Sequence, residues 1–140
     1  MMREDFYDTI EETVQQSGTT FPTWDRSNPK DVRRTSCYVG SKLGNELSIT
    51  LDGDSVEDPR AAVERIKTYW ESQGWKLETL FDNTDRPVPS IQIAATSPTG
   101  IEVVVNASTG SSMIRVKSDC SLDPALNIRP TPTNSSDDLF

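Results

Sequence analysis

Cys37 and Cys120 are the two sulfur nucleophiles of this chain, which contains no histidine. The missing imidazole removes the commonest general base, Ser-His-Asp and Cys-His catalysis, and histidine-based zinc or iron sites. Two cysteines alone do not complete a structural zinc site. What they can do together is form a disulfide. Cys37 lies upstream of the first clear strand and Cys120 at the end of the last, so a bond between them would tie together the sequence extremes of the domain. Such a staple persists in an oxidising compartment. The rival reading is two separate buried thiols in a reducing cell interior, because free cysteine packs like a small hydrophobe. An even cysteine count in a small acidic domain favours the disulfide.

Carboxylates are the other chemical resource. Asp52-Gly53-Asp54-Ser55-Val56-Glu57-Asp58 begins like a calcium loop, and hard cations take several converging carboxylate oxygens. The pattern then breaks at Val56 and Glu57, where such a loop wants an acid or amide and then glycine. The stretch reads better as a strand-to-helix turn, with Asp58 as helix cap and Glu57 near the positive helix end. No metal or other cofactor is expected. Glu4, Asp8, Glu11 and Glu12 offer paired acids of the kind glycosidases use. Their spacing lays them along the polar side of a helix, so a solvated face is expected and no catalytic residue is assigned.

Among the aromatics, Tyr69 and Trp70 fall in a helix stripe and belong to the core. Trp24 and Trp75 are less constrained and are the candidates for a binding surface, as tryptophans are in sugar and peptide binders. Asn106 and Asn134 head glycosylation-type triplets, which matter in a eukaryotic secreted protein. Arg33-Arg34 is too short a basic run to carry a reading. The net charge of −8 and pI near 4.5 repel phosphate backbones and anionic lipid surfaces, so nucleic acid is not an expected partner.

The elements that must hold these residues follow from periodicity. Residues 3–17 place Phe6, Ile10 and Val14 on one helical side, with Gly18 as terminator. TTFPTWDRSNPKDVRRTS then reads as a loop pinned by Phe21 and Trp24. ELSITLD, residues 46–52, alternates as a half-buried strand, with Leu47, Ile49 and Leu51 on one face. From Asp58 to Gly74 the chain gives its clearest helix: cap, Pro59 at the first position, the stripe Ala62, Val63, Ile66, Tyr69 and Trp70, and a terminal glycine.

Strand-like segments follow: KLETLFD (76–82), SIQIAATS (90–97), IEVVVNAS (101–108) and SSMIRVKSDC (111–120), the later ones separated by short turns that imply antiparallel hairpins. The order, taken as α-β-α-β-β-β, predicts an α+β domain with two helices packed on one face of a four-stranded antiparallel sheet. Residues 1–120 form this single domain, large enough to bury roughly two-thirds of its unfolded surface. Residues 121–140, rich in Pro, Ser and Asp and including Asp137 and Asp138, read as a disordered tail.

Taken in order, several of these pieces resemble a known family. They are Cys37, the run D-P-x-x-A-x-x-x-I-x-x-Y-W-x-x-x-G-W from Asp58 to Trp75, Ile91 to Ala95, Gly100 to Val105, and the closing Ser118-Asp119-Cys120. The pattern is similar to the small actinobacterial secreted lipoproteins of uncharacterised function, including the LppA-like group. The resemblance implies a lipobox cysteine, acylated and anchoring the domain outside the cytoplasmic membrane. MMREDFYD shows neither the apolar core nor the cleavage site of a signal peptide, so the expectation is a domain that follows a removed export segment. The family supplies no catalytic residues.

The functional expectation is a non-enzymatic, lipoprotein-type binding or structural module at the bacterial cell envelope, with an unknown protein or small ligand as partner. The alternative is a cytosolic acidic inhibitor or immunity-type protein that binds a basic partner.

Overall fold

Helix α1 (Met2–Ser17) opens the computed structural model, which describes residues 2–27 and 32–122. It turns Phe6 and Ile10, both fully buried, towards the sheet. Gly18 ends it in the left-handed conformation (φ +76°), where the absence of a Cβ removes the steric cost. The chain continues through β1 (Arg33–Val39), β2 (Lys42–Gly53), α2 (Pro59–Ser72), β3 (Lys76–Asn83), β4 (Ser90–Thr96), β5 (Glu102–Ser108) and β6 (Ser112–Lys117).

One six-stranded sheet results, in spatial order β1-β2-β6-β5-β4-β3, with every neighbouring pair antiparallel. After the β1–β2 hairpin, α2 carries the chain to the far edge. The β3-to-β6 meander then returns until β6 closes on β2. The register places Ile49 opposite Val116 and Leu51 opposite Ile114. Val116 and Ile114 in turn face Val103 and Val105, which face Ala95 and Ile93. All eight are buried, and this lattice meets Phe6 and Ile10 of α1 and Ala62, Val63, Ile66 and Trp70 of α2. Alternation within each strand thus puts one sheet face under both helices and leaves the other uncovered by the described residues.

The expected four-stranded sheet is corrected to six strands, for two reasons. All four segments after α2 pair as separate strands, where the assumed order counts three. The segment Arg33–Val39 is also a strand, whose first four residues, Arg33 to Ser36, fall in the expected loop. It is an edge strand without buried alternation, so periodicity gives no signal for it. Gly40 and Ser41 form the tight β1–β2 turn, Gly40 at φ +64°, and a Gly-Ser pair between two runs was the available hairpin cue.

The domain boundary expected at residue 120 runs on by at least one ordered residue: Ser121 bridges Asn45, with N–H···O bonds of 2.9 Å in both directions. The rest of the expected tail, from residue 123 on, including Asn134, Asp137 and Asp138, lies outside the described residues.

Candidate functional site

The two sulfurs are joined. Cys37, within β1, and Cys120, just past β6, form a disulfide with their Cα atoms 6.0 Å apart and a sequence separation of 83. The bond spans β2 where Gly44 stands opposite Cys37. A Cβ on Gly44 would lie 3.3 Å from Cys120 Sγ and 2.6 Å from the Ser121 carbonyl oxygen. Glycine is therefore required there for close approach.

The end of α2 fixes Trp75. Gly74 takes φ +78°, its N–H donates to Glu71 O (3.2 Å), and the next N–H, of Trp75, reaches back to Trp70 O (2.9 Å). That is a Schellman ending, in which the residue after the glycine commonly packs on the last turn. Trp75 does so: its ring stacks on Trp70, centroids 5.4 Å apart and planes 8° from parallel.

Half-buried Trp75 and Tyr69 face the acidic side of α1 across a groove of about 310 Å³. Asp5, Asp8 and Glu12, at helical spacing, form one wall, and Ser97, Pro98 and Thr99 of the β4–β5 turn close the end. The Tyr69 hydroxyl donates to Glu12. Burial first, and then the hydrogen bond to Glu12, push the Tyr69 phenol up to about 12, so it stays neutral. The turn is held by Ser97, whose hydroxyl accepts from the N–H groups of Thr99 (3.2 Å) and Ile101 (3.0 Å).

A search of family models gives no match, and none of the curated proteins matches. Among solved structures, a DUF4853 family protein from Actinomyces odontolyticus is similar at 19% identity, with a TM-score of 0.42 over 66% of this chain. The match spans about half of that protein, 54% of its chain.

Trp24, the other candidate aromatic, stands apart from the groove. It is half-buried against the core, tilted on Tyr7 with centroids 5.8 Å apart, and its indole N–H donates to Glu11 (3.4 Å). Arg26 completes this clasp, lying 5.6 Å from the Tyr7 ring centroid and pairing with Asp8 (2.7 Å) and Glu11 (2.8 Å). The hydrogen bonds to Asp8 and Glu11 raise the Arg26 pKa. The clasp holds the loop after α1 back along the helix.

The acids on α1 thus divide. Glu11 serves the clasp, Asp8 both clasp and groove, and Asp5 and Glu12 the groove. A face expected to be merely solvated has become one wall of a concave surface. The 52–58 turn is spent structurally: Asp58 Oδ1 accepts from Ala61 N (3.1 Å), Asp54 accepts from the Thr20 hydroxyl, and Val56 is buried with its N–H on Ser108 O (2.8 Å). Among the described residues no set of three or more Cys, Asp or Glu is placed to hold a metal ion, and no helix is long and apolar enough to cross a membrane.

Sequence reasoning found Trp75 but missed its companions, because the groove is built by two helices and a turn far apart in sequence. Arg65 was missed for the same reason. It donates to Gln16 O (2.8 Å) and Ser17 O (3.1 Å), closing the carbonyl end of α1 and locking α2 against it.

Proposed function

We propose that this protein is a non-enzymatic, extracytoplasmic binding module, of lipoprotein type at the bacterial cell envelope, whose α1–α2 groove takes a cationic group such as a lysine or arginine side chain of a partner. The observation that carries the reading is the juxtaposition of Asp5, Asp8 and Glu12 with the rings of Tyr69 and Trp75. An ammonium or guanidinium group on an alkyl stem matches both halves. Its charge meets the carboxylates, and its stem or delocalised cation lies against aromatic faces. The net charge of −8 assists by drawing cations in at long range.

Compartment rests on the Cys37–Cys120 bond, since structural disulfides persist where thiols are not kept reduced. The rival cytosolic inhibitor would share the acidic groove but not this bond.

The test is isothermal titration of the oxidised protein with a tri-lysine peptide at low ionic strength, with tri-glutamate as control. Saturable binding of the lysine peptide, weakened by Glu12→Gln and by Asp5→Asn and screened by salt, is the expected result. Equal binding of both peptides, or binding that neither change weakens, overturns the reading.

A further inference from the structure

The uncovered sheet face carries a feature opposite in sign to the groove. Along β2, Leu47, Ile49 and Leu51 point into the core, so Ser48 and Thr50 stand on the outer face. Arg33 of β1 pairs with Ser48, and Arg115 of β6 pairs with Thr50. The two guanidinium side chains therefore rise from the strands on either side of one short hydroxyl-bearing strip. Neighbouring strands lie only about 4.8 Å apart, within the reach of an arginine side chain. Arg33, Ser48, Ile49 and Thr50 line a hollow of about 280 Å³, and Arg115 is the register partner of Thr50 on the β6 side.

The charges around this strip are uneven. Lys117, also opposite Ser48, is 3.8 Å from Glu46 and faces Glu102 across the β5–β6 pair. Asp52 lies two residues beyond Thr50, opposite Met113. Neither Arg33 nor Arg115 has a carboxylate partner among the described residues. On a chain of net charge −8, two exposed arginines flanking serine and threonine hydroxyls, neither of them in an ion pair among the described residues, are a local inversion of the field. Guanidinium groups present forked donors that match tetrahedral oxyanions, and hydroxyls add donors between the forks.

We propose that Arg33, Arg115, Ser48 and Thr50 form a binding site for a phosphate or sulfate group carried by a ligand. The site lies on the sheet face opposite the helices and is independent of the acidic groove.

The test is a two-dimensional amide NMR titration of the oxidised protein with inorganic phosphate at low ionic strength. Saturable shifts centred on Ser48 to Thr50 are expected, with affinity reduced about threefold to tenfold by Arg33→Gln and by Arg115→Gln, and unchanged by Arg86→Gln on a distant loop. Both changes are at exposed positions, and retained amide dispersion confirms that the variants fold. Co-sedimentation with phosphatidylglycerol vesicles, against phosphatidylcholine, separates the sources. Vesicle binding lost in both variants identifies a lipid headgroup, and phosphate shifts without vesicle binding identify a soluble phosphate compound. Unsaturable shifts, or shifts that all variants share equally, together with vesicle binding that is absent or unaffected by the substitutions, overturn the site.

Discussion

Trp75 lies flat on Trp70, and the contact is set by Gly74 between the last turn of α2 and the start of β3. The glycine makes the reversal; the reversal delivers Trp75 beside Tyr69; the two rings form the aromatic side of the groove. Backbone geometry at one residue thus shapes the groove.

Gly74→Ala forces a Cβ into the left-handed region, where it costs about 1 kcal/mol. Nothing lies nearer than 4.0 Å to that added Cβ, so the cost is conformational rather than steric crowding. Denaturant unfolding should show a loss of this size. The coupled near-ultraviolet circular dichroism of the stacked indoles should weaken with it.

Tyr69 should ionise well above the ordinary phenol value, at about pH 12. Its folded pKa lies above the ordinary value near 10, so the stability it contributes is complete below pH 10 and declines as pH rises towards 12. Ultraviolet titration of the phenolates checks this: Tyr69→Phe should remove a step near pH 12, and Glu12→Gln should move that step down.

Arg65 satisfies two carbonyls at the negative end of α1 from a different helix. Arg65→Ala is expected to cost about 1–2 kcal/mol in chemical unfolding, from two lost charge-assisted hydrogen bonds and the favourable cation at a helix C-terminus. Arg86→Ala, on the β3–β4 loop, should change stability by less than about 0.5 kcal/mol.

Gly44→Val drives a side chain into the space filled by Cys120 Sγ and the Ser121 carbonyl. A loss of about 1–3 kcal/mol is expected. Because the insertion prises apart the disulfide-bearing segments, Cys37–Cys120 should also become more readily reduced by dithiothreitol than in the parent protein.

What the chain makes legible depends on how local the physics is. Helix α2 can be read almost residue by residue, because cap, first-turn proline, apolar stripe and terminal glycine all lie within one short segment. The same holds for the strands β2, β4, β5 and β6, whose alternation reflects burial beneath the helices. Strand β1 breaks the rule because neither of its faces is buried, so Arg33–Val39 carries pairing without periodicity. The two proposed sites are harder still. Trp75 is visible as an undetermined aromatic, but Asp5, Glu12 and Ser97 join it only through the packing of α1, α2 and the β4–β5 turn. Arg33 and Arg115 flank the same strand only through sheet order, which places β6 beside β2 rather than at an edge.

The proposed compartment rests on a single covalent bond, which also ties β1 to the segment after β6. The direct measurement is acid trapping of thiols in the cells that naturally make the protein, followed by alkylation under denaturing conditions and mass analysis of the peptides containing residues 37 and 120. Recovery of the two peptides joined, with no alkylated thiol, is the result expected of a module that works outside the reducing cytoplasm. Recovery of both cysteines alkylated and unlinked would contradict the account and favour the intracellular acidic inhibitor.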